Sequence, residues 1–214
     1  MIVARRRMPR ELAGVLPQVL RWKPVLAGWI LVAGLLAWKV GDADGVTVLR
    51  VVAVLLATTV VTLVDDAAQN ILASSPTSLA WRTGSRLALA ASAVAVAWAV
   101  ALFWVRPGDL TAALTLEAAA LTALALAVAS GVARWVGARD ASYAAGPAVA
   151  GAVLAALVLP PRWALIVPPG ESWRDAHLRW AALLVIALAV IAVALRDPAG
   201  RPVAPRVTPS RDRP

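Results

Sequence analysis

The chain has no cysteine among its 214 residues, which excludes disulfides and thiolate metal centres. It has one histidine, His177, too few for a histidine-based metal site and the sole candidate base for a Ser/His/Asp triad. No nucleophile motif surrounds it. With Arg174 and Asp175 beside it, His177 reads as an interfacial side chain. No Gly-x-x-x-x-Gly-Lys-Ser/Thr occurs, so the chain does not bind ATP as a P-loop protein. Asp65-Asp66 suits a metal-dependent prenyl or phosphate transferase only with a second acidic cluster, and there is none. An enzyme is therefore disfavoured, and an intramembrane enzyme stands as a distant alternative. Charge is also scarce: 15% of residues are charged, against about 25% in soluble domains.

What fills the chain is hydrocarbon. Hydrophobic residues make up 61%, mostly Ala, Val and Leu. Six runs, at about 24–40, 46–64, 86–105, 110–135, 144–167 and 178–195, are each near the roughly 20 residues a bilayer crossing needs. The expected fold is an all-α polytopic membrane protein with six transmembrane helices over 24–196. Trp22, Trp38, Trp104, Trp135, Trp163, Trp173 and Trp180 stand at run ends, where interfacial aromatic belts form. Ahead of the first run, Leu12, Val15, Leu16, Val19 and Leu20 recur at helical spacing within the basic segment 1–23. That pattern predicts an amphipathic interfacial helix, kinked at Pro17. Beyond the last run, 197–214 is rich in Pro and Arg and predicts a disordered basic tail.

The basic residues orient the spans. With both ends in the cytoplasm, only Lys39, Arg50, Arg106, Arg162, Arg174 and Arg179 fall outside. The other fifteen of the 21 fall inside. The net charge of +9 is thus a topology signal, with no soluble basic domain to carry nucleic acid. The exit of the first run, Ala-Trp-Lys-Val-Gly-Asp, lacks a small-residue cleavage site, so the run reads as a retained span.

Two features break the hydrocarbon. The first is the polar interval 65–86 between the second and third runs. Asp65 and Asp66 favour a helix start, Ile71 and Leu72 lie beside Gln69 and Asn70, and Ser74-Ser75-Pro76 reads as a cap with proline at the first helical position. Leu79 and Trp81 then lead into the third span between Arg82 and Arg86. The order of acidic pair, short Ile-Leu helix, Ser-Ser-Pro-x-Ser and basic-flanked helix resembles the cytoplasmic segment between spans two and three of type-2 ABC exporter permeases. Gln69-Asn70 stands where that family more often has a Gly-Thr pair. The layout of 10–196 is also similar: an amphipathic N-terminal helix, six spans, both ends inside, and an outside loop between spans five and six. Here that loop falls at 160–177 and carries paired prolines.

The resemblance implies a permease subunit in a bacterial inner membrane, paired with itself or with a second permease. It implies that Asp65, Asp66, Asn70, Ile71, Leu72, Ser74, Ser75 and Pro76 dock a separate ABC ATPase, which would hold the ATP and Mg. No cofactor belongs to this chain in that reading, and its other contacts are with membrane lipid. The alternative is a non-transporting six-span scaffold or accessory protein.

The second feature is Glu117, the one ionisable residue deep in a hydrophobic run. A lone charge there costs on the order of 2–3 kcal/mol, so it should face the bundle interior. Ala113, Glu117, Ala120, Ala127 and Gly131 share one side of the fourth run, and small residues permit close packing. Glu117 reads as lining a pathway or subunit interface, or as a protonated carboxyl bonded to a neighbouring helix.

Overall fold

The computed structural model describes residues 22–38, 44–63, 79–136, 142–170 and 172–196. These form six α-helices with short 3-10 and π turns and no strand: α1 (Trp22–Trp38), α2 (Gly45–Val60), α3 (Leu79–Val105), α4 (Thr111–Gly131), α5 (Ser142–Val158) and α6 (Trp173–Ala194). The all-α expectation holds. Three stretches, Thr83–Val105, Gly108–Trp135 and Trp173–Ala194, are long and apolar enough to cross a membrane, as expected of a membrane protein. The apolar stretches of α1, α2 and α5 are shorter, at 10–17 residues. The N-terminal amphipathic segment through residue 21 and the tail from 197 lie outside the described residues.

Helix α2 shows how local sequence sets its start and its buried face. The Asp44 side chain accepts from the Val46 amide at 3.2 Å and from the Thr47 hydroxyl at 3.0 Å, capping the first turn. From there Leu49, Val52, Ala53, Leu56, Ala57 and Val60 recur at three- and four-residue spacing and are buried. Thr58 and Thr59 turn their hydroxyls back onto carbonyls of the preceding turn, which satisfies both of these donors within the bundle. This fixes the Thr59 methyl against Gly28 of α1, where any Cβ would collide with it.

The bundle is built around α4. It packs most extensively on α6, then on α2 and α5, while α3 leans mainly on α2. Consecutive helices reverse direction, so α2, α4 and α6 all start at the same end. There α3 and α4 are joined by a tight turn in which Arg106 and Gly108 both adopt positive φ, 52° and 63°. Gly45 at the start of α2 faces Val105 at the end of α3.

Two boundaries differ from the sequence expectation. The fifth helix stops at Val158 rather than running to 167, because Pro160 and Pro161 remove the amides that would continue it. The sixth starts at Trp173 rather than near 178, so Trp173, Asp175 and His177 are helical and not part of an outside loop. The irregular segment between them, 159–170, folds back onto the bundle. Arg179 donates to the carbonyls of Ala164 (2.8 Å) and Arg162 (2.7 Å), and the Trp180 indole donates to Leu165 (2.9 Å). Backbone carbonyls next to an apolar bundle need such partners.

Candidate functional site

The starts of α2, α4 and α6 each place one ionisable side chain on the same spot. Arg50 is the sixth residue of α2, Glu117 the seventh of α4 and His177 the fifth of α6. At 1.5 Å per residue, each lies about one to two helical turns in from its helix start. Arg50 Nε donates to Glu117 Oε2 and Nη2 donates to Oε1, both at 2.8 Å. Such a fork-on-carboxylate contact is the strongest geometry an ion pair adopts. Nη2 also donates to the Val167 carbonyl at 2.9 Å, so the same guanidinium holds the 159–170 segment.

His177 completes the cluster. Its Nδ1 lies 2.7 Å from the Trp173 carbonyl one turn earlier. Its Nε2 lies 3.2 Å from Glu117 Oε1, without the alignment of a hydrogen bond. The Trp173 ring lies against both neighbours: its centroid is 4.3 Å from that of His177 and 5.6 Å from the Arg50 guanidinium carbon, the latter a cation–π contact. Side-chain exposure is 17% for Arg50, 12% for His177 and 3% for Glu117, so the pairing takes place away from water.

Beside the cluster is a pocket of about 170 Å³. Arg50 and Glu117 form its polar wall, and Leu121, Val153, Ile166 and Trp180 are among its apolar walls. A second, larger recess of about 440 Å³ runs between α3, α4 and α6, lined by residues such as Leu87, Val94, Trp98, Ala123 and Leu188. Trp98 is buried in its wall and donates to Thr115 at 3.2 Å. The buried Thr122 hydroxyl, on the same recess, has no hydrogen-bond partner among the described residues.

Glu117 therefore sits where the sequence placed it, inside the bundle, but its partners differ. Both its oxygens accept from the Arg50 guanidinium on α2. Arg50, counted as an outside topology charge, is a partner in the buried pair. His177, read as interfacial, is half of a second contact to the same carboxylate. Trp180, assigned to an aromatic belt, is buried. The spacing held a signal for His177: Trp173, His177 and Trp180 follow the 3-4 step of one helix face. Asp65, Asp66, Asn70, Ile71, Leu72, Ser74, Ser75 and Pro76 all lie outside the described residues.

The fold and site together define an all-helical membrane protein with a buried Arg–Glu–His cluster near one end. No known family, no characterised protein and no solved structure matches this chain. Among the described residues, no group of three or more His, Cys, Asp or Glu could hold a metal ion.

Proposed function

We propose that the chain is the membrane-integral permease subunit of a type-2 ABC exporter, working with a separate ATPase that docks on segment 65–82. The observation that carries this reading is the buried cluster. Ionisable residues inside membrane bundles are rare, pair with one another and line substrate or ion pathways. The cluster ties the starts of α2, α4 and α6 together at one end. The end of α2 and the start of α3, between which the proposed docking segment falls in sequence, lie at the opposite end of the bundle. In this reading the reaction is vectorial, with ATP and Mg on the partner, and two permease copies or a related pair enclose the path. Both chain ends and the docking segment face the cytoplasm of a bacterial cell.

The test is co-expression with candidate ATPases, scored by copurification and by stimulation of ATP hydrolysis. Ile71→Asp and Leu72→Asp should each abolish the association while membrane insertion is unchanged. Normal motor binding by both variants would remove the docking assignment.

One observation favours the second reading, a non-transporting six-span scaffold. Both Glu117 oxygens are occupied by Arg50, and the adjoining pocket is only about 170 Å³, smaller than the roughly 300–1,000 Å³ of typical ligand sites. A chain that binds no ATPase, and whose loss leaves cargo export unchanged, would fit the scaffold.

A further inference from the structure

We propose that the recess between α3, α4 and α6 binds a bilayer-dissolved molecule with an apolar body and one hydrogen-bond-accepting oxygen, which Thr122 recognises. The recess exists because α3 leans mainly on α2, leaving a gap to α6 that α4 floors. Small side chains widen it: Ala95 of α3 and Ala119 of α4 line it and are exposed. Its volume of about 440 Å³ lies within the roughly 300–1,000 Å³ of typical ligand sites. Apart from Trp98, Thr115 and Thr122, the lining side chains are hydrocarbon. The recess shares no lining residue with the pocket beside Arg50 and Glu117. The inference therefore stands for a permease and a scaffold alike, and no ATPase takes part in it.

Thr122 selects the occupant. It is 8% exposed, and its buried hydroxyl has no partner among the described residues. A helical Thr hydroxyl ordinarily bonds the carbonyl one turn back, as Thr58, Thr59 and Thr115 do here. Thr122 leaves that bond unmade, and a buried donor without an acceptor is costly. Water is a poor answer, since a buried water needs about two to four polar partners. The other polar groups of the lining are already engaged: the Trp98 indole donates to Thr115, whose hydroxyl donates to the Thr111 carbonyl. The acyl tail of a lipid suits the walls but brings no oxygen to this depth. Thr122 is the twelfth residue of α4, about 16 Å from its start at 1.5 Å per residue. That is near the middle of a hydrocarbon layer about 30 Å thick, whereas lipid ester groups lie at its edges. A molecule carrying one oxygen within an apolar body meets both the walls and the hydroxyl.

Benzophenone is such a molecule, and on irradiation it attaches to neighbouring C–H groups. With the full-length chain in lipid nanodiscs, adducts mapped by mass spectrometry should saturate with benzophenone and concentrate on Val94, Trp98, Ala119 and Leu188, which line the recess. At equal membrane concentration, dicyclohexyl ketone should compete between about twofold and tenfold better than dicyclohexylmethane, the same body without the oxygen. Thr122→Val keeps the shape and removes the hydroxyl. It should abolish that preference while the adduct positions are unchanged, and Thr122→Ser should restore it. Ala95→Leu fills the recess from the α3 wall and should remove most of the saturable labelling; Ala119→Leu does the same from α4 if the first variant does not fold. Labelling that never saturates, or that spreads equally over the outward-facing Val96 and Phe103, would overturn the proposal. Equal competition by ketone and hydrocarbon in the wild type, the result expected of a site for lipid tails, would overturn it too. So would a ketone preference that survives in Thr122→Val.

Discussion

Helices α3 and α4 are similarly apolar and similarly long, yet they occupy opposite situations. The best membrane-spanning window of α4 is 61% buried within the chain, and that of α3 only 17%. The difference follows from side-chain size and from charge. On α4, Ala118, Ala120, Ala125 and Ala129 let α2, α5 and α6 approach closely, and Glu117 draws Arg50 and His177 onto it. On α3, Val96, Val100, Phe103 and Trp104 project outward, as a lipid-facing surface does. Overall apolarity thus says that a helix belongs in a membrane, while the placing of small and ionisable residues says whether it is central or peripheral.

The sharpest way to break this contrast is to remove one partner of the buried pair. Arg50→Ala or Glu117→Ala leaves an uncompensated charge in the bundle and should cost about 3–5 kcal/mol. A matched truncation on the outer face of α3, Val96→Ala, should stay within about 0.5 kcal/mol. Reversible denaturation in detergent micelles, monitored by circular dichroism, reads both. The double variant Arg50→Met with Glu117→Leu fills similar volume without charge and should recover most of the loss. If that double variant is as unstable as either single one, the cluster holds the helices by more than electrostatic pairing.

These partners show where the sequence was legible and where it was not. The helices were readable because apolar runs and their flanks are local signals. Pro160-Pro161 marks a break in the outside loop, although the apolar run continues past it to 167. Glu117 was readable because a carboxylate in a hydrophobic run is conspicuous in one dimension. Its partners were not, since Arg50 and His177 lie near helix starts, where basic and aromatic residues commonly mark an interface. Only the common direction of α2, α4 and α6 brings residues 67 positions apart into a fork at 2.8 Å. Gly28 was silent for the same reason: its requirement comes from the Thr59 methyl on another helix.

A second contrast tests packing alone. Ala125 on α4 is fully buried, whereas Ala99 on α3 is exposed. Ala125→Leu adds a branched side chain to a closed interface and should destabilise by about 1–3 kcal/mol. Ala99→Leu adds the same atoms to the outer face and should be near neutral. Melting curves of the two variants, compared under the same conditions, decide the matter. Equal effects would mean that α4 is not the packed centre of the bundle.

The smallest effect concerns the 159–170 segment, where two side chains of α6 do adjacent but unequal jobs. Trp180 donates to one carbonyl, Leu165, while Arg179 donates to two, Ala164 and Arg162. Trp180→Phe keeps an aromatic ring in the smaller phenyl form, removes the single donor and strands a carbonyl that Arg179 does not reach. Hydrogen bonds inside membrane bundles contribute about 0.6 kcal/mol on average, so the lost donor should account for about that much of the global stability loss. The local effect should be larger than the global one. Hydrogen exchange of the 159–170 amides should speed up in the variant while exchange in α4 is unchanged, because opening this segment leaves the Arg50–Glu117 pair intact. If exchange in α4 rises in parallel, the segment and the cluster open as one unit. The Arg50 contact to Val167 is then the joint that links them.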